Sequence, residues 1–525
     1  MVAVTQTEET RQDPRRWWAL GALVASMLTL GFDMTILNVA LPSMAEQLGA
    51  TTGQQQWMAD AYVVVFAALM LPAGLLGDRF GRRRMLITGL AIFLAGSLVG
   101  ALAEDVNQVI AARTVMGVGA ALITPLAMSV LPSLFTPAEQ GKAIGLVSTG
   151  SALGLPLGPI IGGWLLDHFW WGSVFLINVP MVAIGITACV LLLPETRDPA
   201  SPEVDTLSTA CTVAGLGALV YAIIEAPDRG WGDPLILGMF AGSAVLLAGL
   251  VLRERRTERP MLDMTLLARR GFLLNTLAAT LVMFILSGLL FVLPPYLQSV
   301  LGNDTLGTGV RLLPLVLGLS VAAKFAPTAA GRFGARASVA AGLVVLAFAG
   351  LLGSRTTTGS GYGFTALWLS VAGLGFGFAL VPAMTGALAT LPRDRAGSGS
   401  GLLLTMRQVG SAIGIALLGS LLANVFRDRL DVSGLPSGAA DSARDSVVAA
   451  HVIAERTGPA HGAHLAASAN SAYVHGMGVV LLVCGAAALV SALLAAAFLP
   501  GAAPAARSEP RDTPEMVASG TDARE

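Results

Sequence analysis

Asp33 is the only ionisable side chain in residues 27–44, MLTLGFDMTILNVALPSM, and it has no basic neighbour in the chain nearby. A carboxyl group so placed suits one task, the reversible binding of a proton. An apolar surround favours the neutral acid, and an approaching cation favours the carboxylate. Arg113 is the candidate cation, itself alone in the apolar run that starts near Val106. At 1.5 Å per helical residue, Asp33 lies about 14 Å and Arg113 about 10 Å from the same end of their helices. The two depths allow a pair, directly or through water. An intramembrane charge without such a partner is costly, so the pair is the expected proton-coupling unit.

Other polar residues suit weaker roles. Asp60 in WMADAY is either a second acid for a cationic substrate or a solvated residue near a membrane face. Asn38 adds a polar notch to the helix of Asp33, and Glu225 is a third candidate contact near the end of its span. Lys324 can snorkel to an interface, and Arg407 is read as ordering helix packing. His451, His461, His464 and His475 cluster late in the chain. His461 and His464 have the spacing of half a zinc site, but without cysteines or a defined geometry they are not read as a metal site. No phosphate loop or catalytic triad is present, so neither an enzyme nor ATP-driven transport is expected.

The elements that position these residues are membrane helices. Of 525 residues 54% are apolar and 12% charged, against about 25% charged in soluble domains. Fourteen apolar runs are long enough to cross about 30 Å of hydrocarbon. They begin near residues 17, 57, 83, 106, 141, 171, 207, 233, 271, 308, 337, 362, 397 and 473. With both termini inside, 22 of the 32 basic residues fall on the cytoplasmic side and seven outside. That asymmetry fixes the orientation. A net charge of -1 gives no reason to expect nucleic acid, and an odd set of three cysteines, all in apolar segments, no disulfide framework. Only two of the basic residues are lysines, as expected of a bacterium with a GC-rich genome.

The chain also repeats. Gly145, Leu146, Thr149, Gly154, Gly158 and Gly163 recur 256 residues later as Gly401, Leu402, Thr405, Gly410, Gly414 and Gly419, and RFG at 79–81 returns at 332–334. The economical architecture is all-α: a cytoplasmic segment 1–16, a six-helix half 17–193, a linker 194–206, two inserted helices 207–253 and a cytoplasmic loop 254–270. A second half 271–499 follows, with a long outer loop 428–471, and then a disordered tail 500–525. Repeat-built membrane proteins place a substrate path between the halves. In GLLGDRFGRRRML, residues 74–86, Gly74 and Gly81 permit a tight turn, while Asp78 with Arg79, Arg82 and Arg83 can form charge pairs between helices. Gly154, Gly158 and Gly162 recur every four residues, with Pro159 and Gly163 beside them. Such a face lets helices approach closely in lipid and is read as a packed seam between the halves.

These motifs together resemble the major facilitator superfamily, in particular its fourteen-span drug:proton antiporter branch. GDRFGRRR is similar to the family's loop motif, LGFDMTILNVALP (30–42) to the branch's first-span motif, ARTVMGVGAALITP (112–125) to the fourth-span motif and GSALGLPLGPIIGGWL (150–165) to the antiporter signature. Met116 and Gly172 depart from the pattern, which often has glutamine and arginine there. The resemblance implies that Asp78 and Arg79 latch the halves in one access state, and that the proton gradient, with no cofactor, drives export. Expected partners are a drug-like small molecule, protons and the lipid bilayer, with no obligate protein partner. The expected function is proton-coupled export of hydrophobic, often cationic, molecules across the cytoplasmic membrane. A dedicated exporter of one antibiotic or metabolite, and a transporter-like sensor without flux, are the alternatives.

Overall fold

The computed structural model describes residues 16–135, 137–196, 205–257, 264–390, 396–457 and 459–499. The expected segment 1–16, except its last residue, and the tail 500–525 lie outside the described residues, as do parts of the 194–206 linker and the 254–270 loop.

Among the described residues fourteen long helices follow one another: α1 Arg16–Leu48, α2 Thr52–Phe80, α3 Arg82–Ala101, α4 Val106–Ser129, α5 Pro137–His168, α6 Asn178–Leu192 and α7 Thr206–Arg229. The series continues with α8 Pro234–Arg256, α9 Arg270–Pro295, α10 Leu313–Phe333, α11 Ala335–Gly353, α12 Tyr362–Ala389, α13 Ala396–Arg429 and α14 Pro459–Phe498. Their starts are written locally. Thr51 and Gln54 form a reciprocal capping box at α2, and Asp105, Asp205 and Asp233 cap α4, α7 and α8 with their side chains. Each cap satisfies amides that the first helical turn leaves without partners. The repeated RFG does the same work twice. Gly81, at φ 109°, turns α2 into α3, and Gly334, at φ 88°, turns α10 into α11, a conformation that only glycine adopts without strain.

By length and hydropathy twelve described helices can cross a membrane, and α2 makes a thirteenth if its two arms, bent by 54° beside Pro72, count as one span. Proline at that point removes a backbone bond and explains the bend. The expected count of fourteen is therefore not reached; α5, described only in part, stays outside the tally. The expected loop 428–471 is also largely helical. Short helices fill Ser437–Asp445 and Val447–Arg456, and α14 begins fourteen residues before the expected position 473.

Helices α1–α6 pack as one group and α9–α14 as a second, with α7 and α8 forming a hairpin beside them. Successive helices alternate in direction, so the 74–86 loop marks one end of the bundle, here the basic end, and the opposite end is the far end. The groups meet where α2 lies along α13, α1 touches α9, and α5 touches a short helix, Thr305–Arg311.

Candidate functional site

The close packing of α5 on α1 fixes the flanks of Asp33. A side-chain carbon at Gly154 would strike the backbone of Gly31 and Phe32, and one at Gly158 the Thr35 hydroxyl. The Thr35 hydroxyl also lies 3.2 Å from the Gly154 carbonyl. α4 reaches in from the other side, with Gly117 laid on the backbone of Tyr62.

In that frame Asp33 and Arg113 touch. Arg113 Nη1 donates to Asp33 Oδ2 at 2.6 Å, and both side chains are 2% exposed. Arg113 Nε donates to the Met58 carbonyl at 3.2 Å, and its guanidinium carbon sits 4.3 Å from the centre of the Tyr62 ring. Asn178, at the start of α6, donates to Asp33 Oδ1 at 3.0 Å and lies 3.4 Å from the Ser97 hydroxyl. A buried ion pair recovers its desolvation cost only with good geometry and further hydrogen bonds, and this one has both. Sequence alone did not single out Asn178. Its signal was a lone amide in the apolar stretch VFLINVP.

The remaining candidates divide. Asp60 is fully buried, and among the described residues neither carboxylate oxygen has a hydrogen-bond partner. That corrects the solvated alternative: the N-terminal turns of α2 are covered by α13 and α7 and do not stand at an open face. Asn38 donates to the Met34 carbonyl at 3.0 Å and, with Thr35 and Pro159, lines a cleft whose other wall is Leu286, Leu290 and Leu315. Glu225 is paired with Arg229 one turn along its own helix, at 3.4 Å, and does not line that cleft.

The basic-end loop grips helices of its own half. Gly74 lies against Pro125, and Gly81 against the Glu195 carboxylate. Asp78 pairs with Arg82 at 2.7 Å, and Arg82 also donates to the Ser129 carbonyl at 2.9 Å. Arg83 donates to the Val190 carbonyl at 2.7 Å, while the Arg79 guanidinium sits 5.9 Å from the Phe80 ring centre.

The glycines of α5, expected along one seam between the halves, serve two faces. Gly154, Gly158 and Gly162 pack on α1 within the first half. Pro159 and Gly163 pack on Thr305–Arg311 of the second, where Gly309 meets the Pro159 carbonyl. The division follows from helical geometry, because residue 163 points about 100° away from 162.

Hydrogen bonds between the halves gather at the far end. Gln56 donates to the Ala416 carbonyl at 2.8 Å, Gln298 to the Val39 carbonyl at 3.0 Å, and Thr52 to the Asp445 carbonyl at 2.7 Å. Asp167 of α5 accepts from the Thr305 hydroxyl and, at 3.3 Å, from the Leu306 amide.

Comparison with known proteins matches this architecture. The family model of the Major Facilitator Superfamily matches residues 23–415. The tetracenomycin C resistance and export protein of Streptomyces glaucescens is 33% identical, over 92% of this chain and 91% of its own. The multidrug efflux pump LfrA of Mycolicibacterium smegmatis is 32% identical, over 92% and 97%. Among solved structures, a bacterial homolog of the human lysosomal transporter Spinster, inward-facing and occupied, has a TM-score of 0.68 at 19% identity and covers 94% of this chain and 99% of its own. The paired halves, the buried ion pair and these matches together place the chain in the major facilitator superfamily, a family of membrane transporters and not of enzymes.

Proposed function

We propose that this protein exports hydrophobic, often cationic, small molecules across the cytoplasmic membrane in exchange for protons. The observation that carries the reading is the buried Asp33–Arg113 pair, reached by Asn178 and lying next to the inter-half cleft through Thr35. With the basic end and both termini in the cytoplasm, the far-end bonds close the outer side, and the cleft is loaded from within. Rocking of the halves, coupled to a shift of α4 against α1 within the first half that draws Arg113 away, leaves a carboxylate in apolar surroundings without its cation, which then takes a proton from outside. Its return expels that proton inward. The proton gradient is the only energy source this cycle needs, and Asp60 and Asn38 are its candidate substrate contacts.

Relatives named for export and for efflux support the export direction. The likeness to a protein named for tetracenomycin C also favours a second reading, a dedicated exporter of one antibiotic. Purified protein in liposomes decides. Ethidium flux should follow an imposed pH gradient, vanish when that gradient is collapsed, and vanish in Asp33→Asn. Flux indifferent to the gradient would sink proton coupling. Flux of a single antibiotic, with no competition from ethidium or other cations, would select the dedicated exporter.

A further inference from the structure

The hairpin α7–α8 has no task in this cycle, yet α7 lies against the seam that the cycle must open. Its far-end turns touch both halves. The Tyr221 ring is 6.2 Å from the Trp57 ring of α2. The Ile223 carbonyl accepts from the Ser420 hydroxyl of α13 at 2.8 Å, and the Pro227 carbonyl accepts from Arg427 of α13 at 2.9 Å. Ser420 is a meeting point of all three bodies, because Gln56 Nε2 of α2 reaches its hydroxyl oxygen at 3.4 Å. Gln56 and Ser420 are each 1% exposed, so water does not compete for these bonds. Gly419 opens the way for Gln56, since a side chain there would strike the Gln56 amide. Within the hairpin, Ser243 donates to the Gly215 carbonyl at 2.8 Å, and Arg253 meets Asp205 at 2.8 Å. Those two ties let α7 and α8 move together.

We propose that the inserted hairpin is a clamp on the access seam: α7 ties α2 to α13 through the Ser420 hydroxyl and stabilises the far-closed state. The two sides of the clamp are unequal. α13 holds α7 by two hydrogen bonds, and α2 holds it by a ring contact. The hairpin therefore stays with the second half and parts from Trp57 when the far end opens. The inference rests on alternation between two access states, but its test reads distances and not transport, so it stands or falls apart from proton coupling and substrate.

The test is pulsed electron resonance on the full chain, with Cys189, Cys211 and Cys484 replaced by alanine. Spin labels at Glu104→Cys and Thr358→Cys report far-end separation between the halves. Ser420→Ala removes the Gln56 bond that parts on opening, and with it the tie that seats α7 at the seam, so it should raise the ratio of far-open to far-closed protein about two- to tenfold, the equilibrium equivalent of one net hydrogen bond. Trp57→Leu should do likewise without disturbing α13. Ser243→Ala, which breaks a bond inside the hairpin, should leave the ratio unchanged. A distribution unmoved by both Ser420→Ala and Trp57→Leu, or moved equally by Ser243→Ala, overturns the clamp. A label at Trp231→Cys, on the hairpin tip, should keep its distance to Thr358→Cys and change its distance to Glu104→Cys on opening. The converse overturns the attachment to the second half.

Discussion

Asn178 and Arg113 grip opposite oxygens of Asp33, the amide on Oδ1 at 3.0 Å and the guanidinium on Oδ2 at 2.6 Å. The carboxylate is thus held from α6 as well as from α4, and its orientation does not depend on the arginine alone. Hydrogen bonds to charged groups contribute about 1.5–3 kcal/mol. Asn178→Ala should therefore slow ethidium efflux about tenfold or more per molecule in the membrane, with Asp33 and Arg113 intact. Efflux at the parental rate would show that Asn178 only packs.

Arg113 uses its whole shape. One nitrogen meets Asp33, Nε meets the Met58 carbonyl, and the plane lies over Tyr62. Lysine offers a point charge without the fork or the flat face, so Arg113→Lys should transport as poorly as Arg113→Gln. Stability separates the variants in another way. Removing one partner of a buried pair costs about 3–5 kcal/mol, because the other charge is left alone. The double variant Asp33→Asn/Arg113→Gln should melt above Arg113→Gln alone. A double variant melting at or below the single one would mean the charges are not coupled in the folded state.

Much of this was legible in the sequence, and the rest failed for identifiable reasons. The starts of α4, α7 and α8 were readable because apolar runs begin near 106, 207 and 233, and the Asp33–Arg113 depth match because helical rise is fixed. Ser437–Asp445 read as loop because SGAADSARD lacks an apolar run; it packs on the helix Val447–Arg456, which in turn docks against α14. Asn178, Gln56 and Ser420 carry no charge to draw notice, and their meaning depends on the rotation of α6, α2 and α13. A spacing of four marks a face of α5 but cannot tell which neighbour that face meets.

The two faces of α5 predict two phenotypes. Gly158→Ala pushes on Thr35 inside the first half, and overpacking of that kind costs about 1–3 kcal/mol. Its melting temperature should fall in every access state. Gly163→Ala instead meets the backbone of Thr305 and Leu306 across the seam. It should destabilise only the far-closed state, leaving the melting temperature near parental and increasing far-side labelling by an impermeant maleimide at a reporter cysteine. Equal thermal losses in both variants would remove the distinction.

Asp205 gives a pH prediction outside the spans. Its carboxylate accepts from Arg253 and from the Leu207 and Ser208 amides. Arg253 first, and then the Ser208 bonds, hold its pKa down at about 2, below the usual carboxylate value of about 3.9. A depressed folded value means that the stabilisation is complete above about pH 4 and is lost as pH falls towards 2. The pair is partly exposed, so its contribution is at most about 1 kcal/mol. Protection against hydrogen exchange at the start of α7, taken relative to the intrinsic rate at each pH, should fall across that window in the parent. In Asp205→Asn, which keeps the cap and loses the charge, protection should be slightly lower at pH 7 and flat across the window.

Asp60 separates a transport role from a structural one. It is fully buried on α2, and neither oxygen has a hydrogen-bond partner among the described residues. A polar group left unsatisfied in that way costs about 1–3 kcal/mol, and more if charged. The fold gains when such a group is removed, so Asp60→Leu should leave the melting temperature unchanged or raise it. If Asp60 receives the positive charge of a substrate, the same variant should raise the KM for ethidium at least tenfold and leave a neutral substrate untouched. Asp60→Glu should restore part of the loss, because it keeps the charge. Parallel losses for charged and neutral substrates, with a lowered melting temperature, would assign Asp60 to packing at the α2–α13 seam and remove it from the substrate path.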